Sequence, residues 1–133
     1  MYYILYIPLI YYMNSQPEGV VSLEEFYALL RANTGVIVFK FGASWCRPCQ
    51  KISGYIENWK RRIVPECPHI RFVYVCVDES FELYGHLRTK RMIQGIPAML
   101  AYKRGNESYI MDAFVSGTNE SEIDAFFRKI IQM

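Results

Sequence analysis

Leu23, Phe26, Leu29 and Leu30 recur at spacings of three and four, the period of one helix face. Ser22 and Glu25 stand where a capping box would open that helix, and Asn33-Thr34-Gly35 would close it. The pattern then changes. Val36 to Phe41 is a short apolar run rich in β-branched residues, as in a buried strand, and Gly42-Ala43-Ser44 turns the chain. From about Cys46 the helical period returns, with Ile52, Tyr55, Ile56, Trp59 and Ile63 on one face and Pro65 and Pro68 as stops. Arg71 to Val77 predicts a second buried strand. Glu82 to Lys90 predicts a weaker helix, with Leu83 and Leu87 one turn apart. Ala98 to Tyr102 predicts a third strand, closed by Lys103-Arg104-Gly105-Asn106, and Tyr109 to Val115 a fourth, ending at Ser116-Gly117. Asn119 and Glu122 can cap a last helix striped by Ile123, Phe126, Phe127, Ile130 and Ile131.

The predicted order is helix, strand, helix, strand, helix, strand, strand, helix. The alternating front half implies parallel pairing through a crossover helix. The short link between the last two strands implies a hairpin. Together they predict an α/β fold with a central mixed β-sheet flanked by helices on both faces. No internal repeat or low-complexity segment interrupts it.

Length and composition narrow the function. The chain has 133 residues, 52% of them hydrophobic, enough for one domain with a core that needs no metal or disulfide staple. A formal charge of +2 does not support a nucleic-acid partner, which would want a basic stripe. Residues 1–17 form a separate apolar N-terminal extension without a charged side chain, ahead of a domain spanning 18–133. The apolar run is shorter than the roughly 20 residues that span a bilayer. It lacks the basic start and small-residue cleavage site of a secretory signal. Three readings stay open: an added strand or packed arm, which is preferred; a membrane-surface anchor through residues 1–13; or translation starting at Met13.

The chemistry gathers at the four cysteines. Cys67 sits in a Pro-rich loop and Cys76 inside a strand-like run, and both read as free thiols, which points to a reducing compartment. Cys46 and Cys49, three apart on a forming helix, lie close enough to bridge. Cys46 would face the positive end of the helix dipole, which lowers a thiol pKa, while Cys49 would lie further in and be more buried. Pro48 is tolerated because first-turn N–H groups have no helical partner to lose. Cys46 would attack a substrate disulfide, and Cys49 would then resolve the mixed disulfide. The competing reading is a zinc pair completed from Cys67, His69 and Cys76, but their spacing does not match a zinc knuckle, and no metal is expected. His69 and His86 read as surface or satisfied histidines.

Val36 to Cys49, with Trp45-Cys46-Arg47-Pro48-Cys49 at its end, resembles the strand and active-site turn of the thioredoxin family. Gln94-Gly95-Ile96-Pro97-Ala98-Met99-Leu100 resembles the family's cis-proline loop, and Val75-Cys76-Val77-Asp78 its central strand ending in an acidic residue. The resemblance covers about Glu18 to Met133. It implies a thioredoxin fold and a protein-disulfide reductase activity acting on disulfide-containing proteins. It implies no cofactor beyond the dithiol, with electrons from a thioredoxin-reductase-type partner, and a cytoplasmic monomer. It further implies a cis Ile96–Pro97 peptide facing the cysteines, a backbone there that pairs with an extended substrate segment, and a flanking role for Trp45. On its own Pro97 reads equally as a proline at a strand start.

Two positions depart from the family. Lys40 stands where thioredoxins usually carry a buried aspartate, and Arg47 where they carry glycine. Cations beside the pair would favour thiolates and make the couple more oxidising; solvated side chains with screened charge would not. The departures keep an oxidase- or isomerase-like alternative open. The apolar N-terminal segment keeps open a binding module with secondary redox activity.

Overall fold

Burial is almost continuous along the first strand, interrupted only at Lys40, so its two faces must both be covered, and the helices divide between them. The computed structural model describes residues 18–133; the extension 1–17 and its alternative readings lie outside the described residues. The elements are α1 (Leu23–Ala32), β1 (Val36–Gly42), α2 (Arg47–Ile63), β2 (Ile70–Cys76), α3 (Phe81–Thr89), β3 (Ala98–Lys103), β4 (Ala113–Ser116) and α4 (Glu120–Ile131). The sheet order is β2-β1-β3-β4. β1 pairs parallel with β2 through the α2 crossover and antiparallel with β3, and β3 pairs antiparallel with β4.

Ile37, Phe39 and Phe41 of β1 pack under Phe26, Leu29 and Leu30 of α1 and Leu83 and Leu87 of α3. Val36 and Val38 turn the other way, toward Ile52, Ile56 and Trp59 of α2 and Ile123, Phe126 and Phe127 of α4. Each such side chain stabilises the fold by about 1.5–3 kcal/mol relative to exposure.

The helix ends follow from their caps. Ser22 Oγ accepts the Glu25 N–H at 3.0 Å. Glu25 Oε2 is buried without a hydrogen-bond partner among the described residues, so only the forward half of the predicted capping box forms. Asn119 Oδ1 accepts the Glu122 N–H at the start of α4, and α2 stops at Ile63, two residues before Pro65.

The fourth strand is shorter than the alternation predicts. It begins at Ala113, not Tyr109, because side chains claim the backbone before it. Tyr102 Oη donates to the Tyr109 carbonyl at 2.7 Å, Asn106 Nδ2 donates to the Ile110 carbonyl, and Asp112 Oδ2 accepts the Lys103 N–H. These bonds compete with a sheet ladder.

Before α1 the chain bridges in parallel to the outer edge of β2. The Cys76 N–H donates to the Gly19 carbonyl at 2.9 Å. Buried Ser80 holds this entry segment: its hydroxyl donates to the Gly19 carbonyl at 2.7 Å and accepts the Val21 N–H at 2.8 Å.

Candidate active site

β1 runs through the middle of the sheet and delivers the chain at Gly42 to a tight turn, where the Cys46 N–H donates to the Ala43 carbonyl. Cys46 is the N-cap of α2, with φ −82° and ψ 107°. Arg47 and Pro48 occupy the first turn, where proline removes no helical bond. Cys46 and Cys49 are joined as a disulfide with Cα atoms 5.3 Å apart, the distance that a three-residue step across a helix start provides. The Cys49 N–H donates to Cys46 Sγ at 3.2 Å. One terminal amide of the helix therefore already points at the sulfur that would carry negative charge.

The first turn of α2 contains no acidic residue, whereas α1 opens with Glu24 and Glu25 and α4 with Glu120 and Glu122. Carboxylates near those two helix starts complement their positive ends. At α2 that complement is missing, so the positive end is left to the Cys46 sulfur, favouring its thiolate by about 0.3–1 kcal/mol.

The expected difference in exposure is absent. Cys49 was expected to be the more buried sulfur, yet Cys46 is 3% and Cys49 9% exposed. In the joined form both are sheltered, and what distinguishes them is hydrogen bonding and helix position, not access to solvent.

Trp45 stands out from the turn, 63% exposed, and its indole Nε1–H donates to Asp78 Oδ2 at 2.6 Å just beyond β2. Arg47 and Pro48 are exposed. The Ile96–Pro97 peptide is cis, Pro97 is buried and Ile96 half-buried. Phe41 pairs with Ala98, so continuing the register sets Pro97 beside Gly42, whose other neighbour is Cys76. The Gly117 N–H ties the Pro97 carbonyl from the far side at 2.9 Å. Trp45, the cysteine pair and the proline loop thus gather at one end of the sheet.

Lys40 lies two residues before Gly42, on the α2 face, paired in register with Tyr74. It lines a cavity of about 220 Å³ with Glu18, Glu57, Lys60 and Tyr74. Burial lowers its pKa, Glu57 opposes the shift, and Lys60 adds to it. Lys60 itself pairs with Glu57 at 3.3 Å. Sequence reasoning found Lys40 but not this charged cavity. Tyr74 was hidden inside an apolar strand run, and only the strand register brings it to Lys40.

Cys67 and Cys76 are free, the first buried under α2 and the second half-buried at the end of β2. Among the described residues no three His, Cys, Asp or Glu side chains gather as a metal-binding group, so Cys67, His69 and Cys76 do not assemble around the pair. His86 Nε2 lies 3.0 Å from Tyr27 Oη, and His69 is exposed. No helix among the described residues is long and apolar enough to cross a membrane.

Residues 18–129 match the family model Thioredoxin. A thioredoxin of Geodia cydonium is 34% identical over 103 residues, covering 77% of this chain and 86% of the relative. Thioredoxin 3 of Plasmodium falciparum is 31% identical over 94 residues, covering 70% of this chain and 47% of that longer protein. Among solved structures, a Plasmodium falciparum thioredoxin superposes with a TM-score of 0.63 at 25% identity, covering 85% of this chain and 98% of the other.

Proposed function

The chain belongs to the thioredoxin family of thiol–disulfide oxidoreductases, and we propose that it works as a protein-disulfide reductase. The Cys46 thiolate attacks a substrate disulfide, forming a mixed disulfide and expelling the first substrate thiolate. Cys49 then attacks Cys46 Sγ, closes the internal disulfide and releases the second thiolate. A reductase of the thioredoxin-reductase type restores the dithiol, and no further cofactor is needed. The carrying observation is a joined cysteine pair at a helix start free of carboxylates. The backbone of Ile96, set by the cis bond to Pro97, is offered to an extended substrate segment. Exposed Trp45, with Arg47 and Pro48, forms the surface it meets. The two unpaired thiols support a reducing compartment, and we place the protein in the cytoplasm as a monomer.

The test is reduction of insulin disulfides by dithiothreitol. Cys46→Ser is expected to abolish acceleration, and Cys49→Ser to trap substrate on Cys46. Turnover retained in Cys46→Ser would reject the assignment and favour a binding module.

The more oxidising alternative needs charge at both Lys40 and Arg47. Arg47 is exposed, where solvent and salt screen it. Burial lowers the Lys40 pKa, and Glu57 beside it offsets the charge it carries. We therefore favour a reducing couple, with a potential nearer the roughly −270 mV of thioredoxin than the roughly −180 mV of an isomerase. Equilibration against glutathione measures it.

A further inference from the structure

We propose that the Tyr74 hydroxyl is a positioning residue that guides the proton off Cys49 while the mixed disulfide is resolved, across a gap that Gly42 leaves open. The proposal rests on the reductase reading above.

Two glycines hold the Tyr74 ring. A β-carbon built on Gly19, whose φ is +90°, would lie 3.1 Å from Tyr74 Cε2, closer than a side chain is normally accommodated. A β-carbon built on Gly42 would lie 3.5 Å from Tyr74 Cε1, 3.8 Å from its hydroxyl oxygen and 3.6 Å from Cys49 Sγ. The phenol and the resolving sulfur therefore border the same empty side of Gly42. The other side of Tyr74 lines the charged cavity with Glu18 and Lys40, and Glu18 acts electrostatically on the phenol, so the phenol spans the space between a sulfur that must lose a proton and a carboxylate that can take one.

The groups facing it are Glu18 from the entry segment, Lys40 on β1, Cys49, Glu57 and Lys60 on α2, Cys76 on β2 and Asp78 beyond it. Burial first, then Cys76, Glu18 and Asp78, raise the Tyr74 pKa, so the phenol stays protonated at neutral pH and can pass a proton on while receiving another. In the step, the Cys49 thiol proton moves across the gap to the phenol oxygen as the phenol proton moves into the cavity, with the Glu18 carboxylate as acceptor. The Cys49 thiolate forms the bond to Cys46 Sγ, and the bond from Cys46 to the substrate sulfur breaks. The substrate sulfur leaves with the electron pair and takes a proton from solvent. The dithiol is oxidised by two electrons and the substrate disulfide is reduced by two.

Rapid mixing of the reduced full chain with one equivalent of 5,5′-dithiobis(2-nitrobenzoate) separates the stages. The first nitrothiobenzoate released reports attack by Cys46, and the second reports resolution by Cys49. Tyr74→Phe is expected to leave the first phase unchanged, slow the second about tenfold or more, and move its pH midpoint upward. Gly42→Ala adds a methyl group at ordinary contact distances, fills the gap and is expected to slow the same phase. A second phase unchanged in both variants, or both phases slowed equally, would overturn the proposal. Absence of the first phase in the unsubstituted protein would instead overturn the reductase reading.

Discussion

The two faces of the sheet share the same four strands and serve opposite ends. Against α1 and α3, Phe26, Phe39, Phe41, Leu83, Leu87 and Leu100 are wholly buried. Tyr102 joins them by giving its hydroxyl to the Tyr109 carbonyl, and burial raises its pKa. Against α2 and α4 the apolar packing gives way, near the cysteines, to Lys40, Gly42 and Tyr74, while Cys46 and Cys49 themselves close the end of the α1 and α3 cluster. Further along it accommodates Asp124, which accepts Tyr55 Oη–H and Trp59 Nε1–H beside the stacked Trp59 and Phe127 rings. On β1 the division is made residue by residue: Phe39 and Phe41 face one way, Lys40 and Gly42 the other. On β1 the pleat sets the polar and glycine positions on one face, while the two sulfurs cap the apolar core of the other.

The largest expected effect tests the apolar face. Phe39→Ala should cost about 3–5 kcal/mol in urea unfolding through the cavity it leaves, while the potential of the cysteine pair stays the same. A shifted potential would show that packing in the middle of this core reaches the sulfurs at its end. A smaller effect is expected at Asp124. The Tyr55 hydroxyl, then the Trp59 indole, hold its carboxyl below the usual aspartate range. The stability from that shift is present above the unfolded aspartate value and disappears as pH falls through the folded value. Asp124→Asn should therefore lower the melting temperature at neutral pH and flatten its fall between about pH 5 and pH 2; an unchanged acid limb would reject this role. The smallest effect concerns Lys40. Burial lowers its pKa, so the folded state disfavours its charged form, and this cost is full below the folded pKa and fades as pH rises toward the unfolded value. Lys40→Met should raise the urea midpoint at neutral pH, with a gain that shrinks toward about pH 10. A loss would mean that attraction to Glu57 outweighs burial.

What was legible in the sequence was local. The element order, the caps at Ser22 and Asn119, the stop before Pro65 and the cysteine pair at a helix start all depend on residues a few positions apart. Resemblance to a family added the cis bond before Pro97. What depends on register was not legible. Lys40 and Tyr74 meet because β1 and β2 pair in parallel with one alignment, and nothing near either residue announces the other. The start of β4 was missed because Tyr109 to Asp112 alternates like a strand while Tyr102, Asn106 and Lys103 bind its polar atoms. The relative exposure of the two sulfurs follows from how the turn wraps them, which periodicity does not record.

Ser80 clasps Gly19 and Val21, and Gly19 rests on the ring of Tyr74. The doorway through which the chain enters the domain is thus also the rear wall of the reactive chamber. A chain shortened to begin after Gly19 would retain every helix and strand yet unseat that ring, so trimming the amino end is a way to damage catalysis from behind without touching a sulfur.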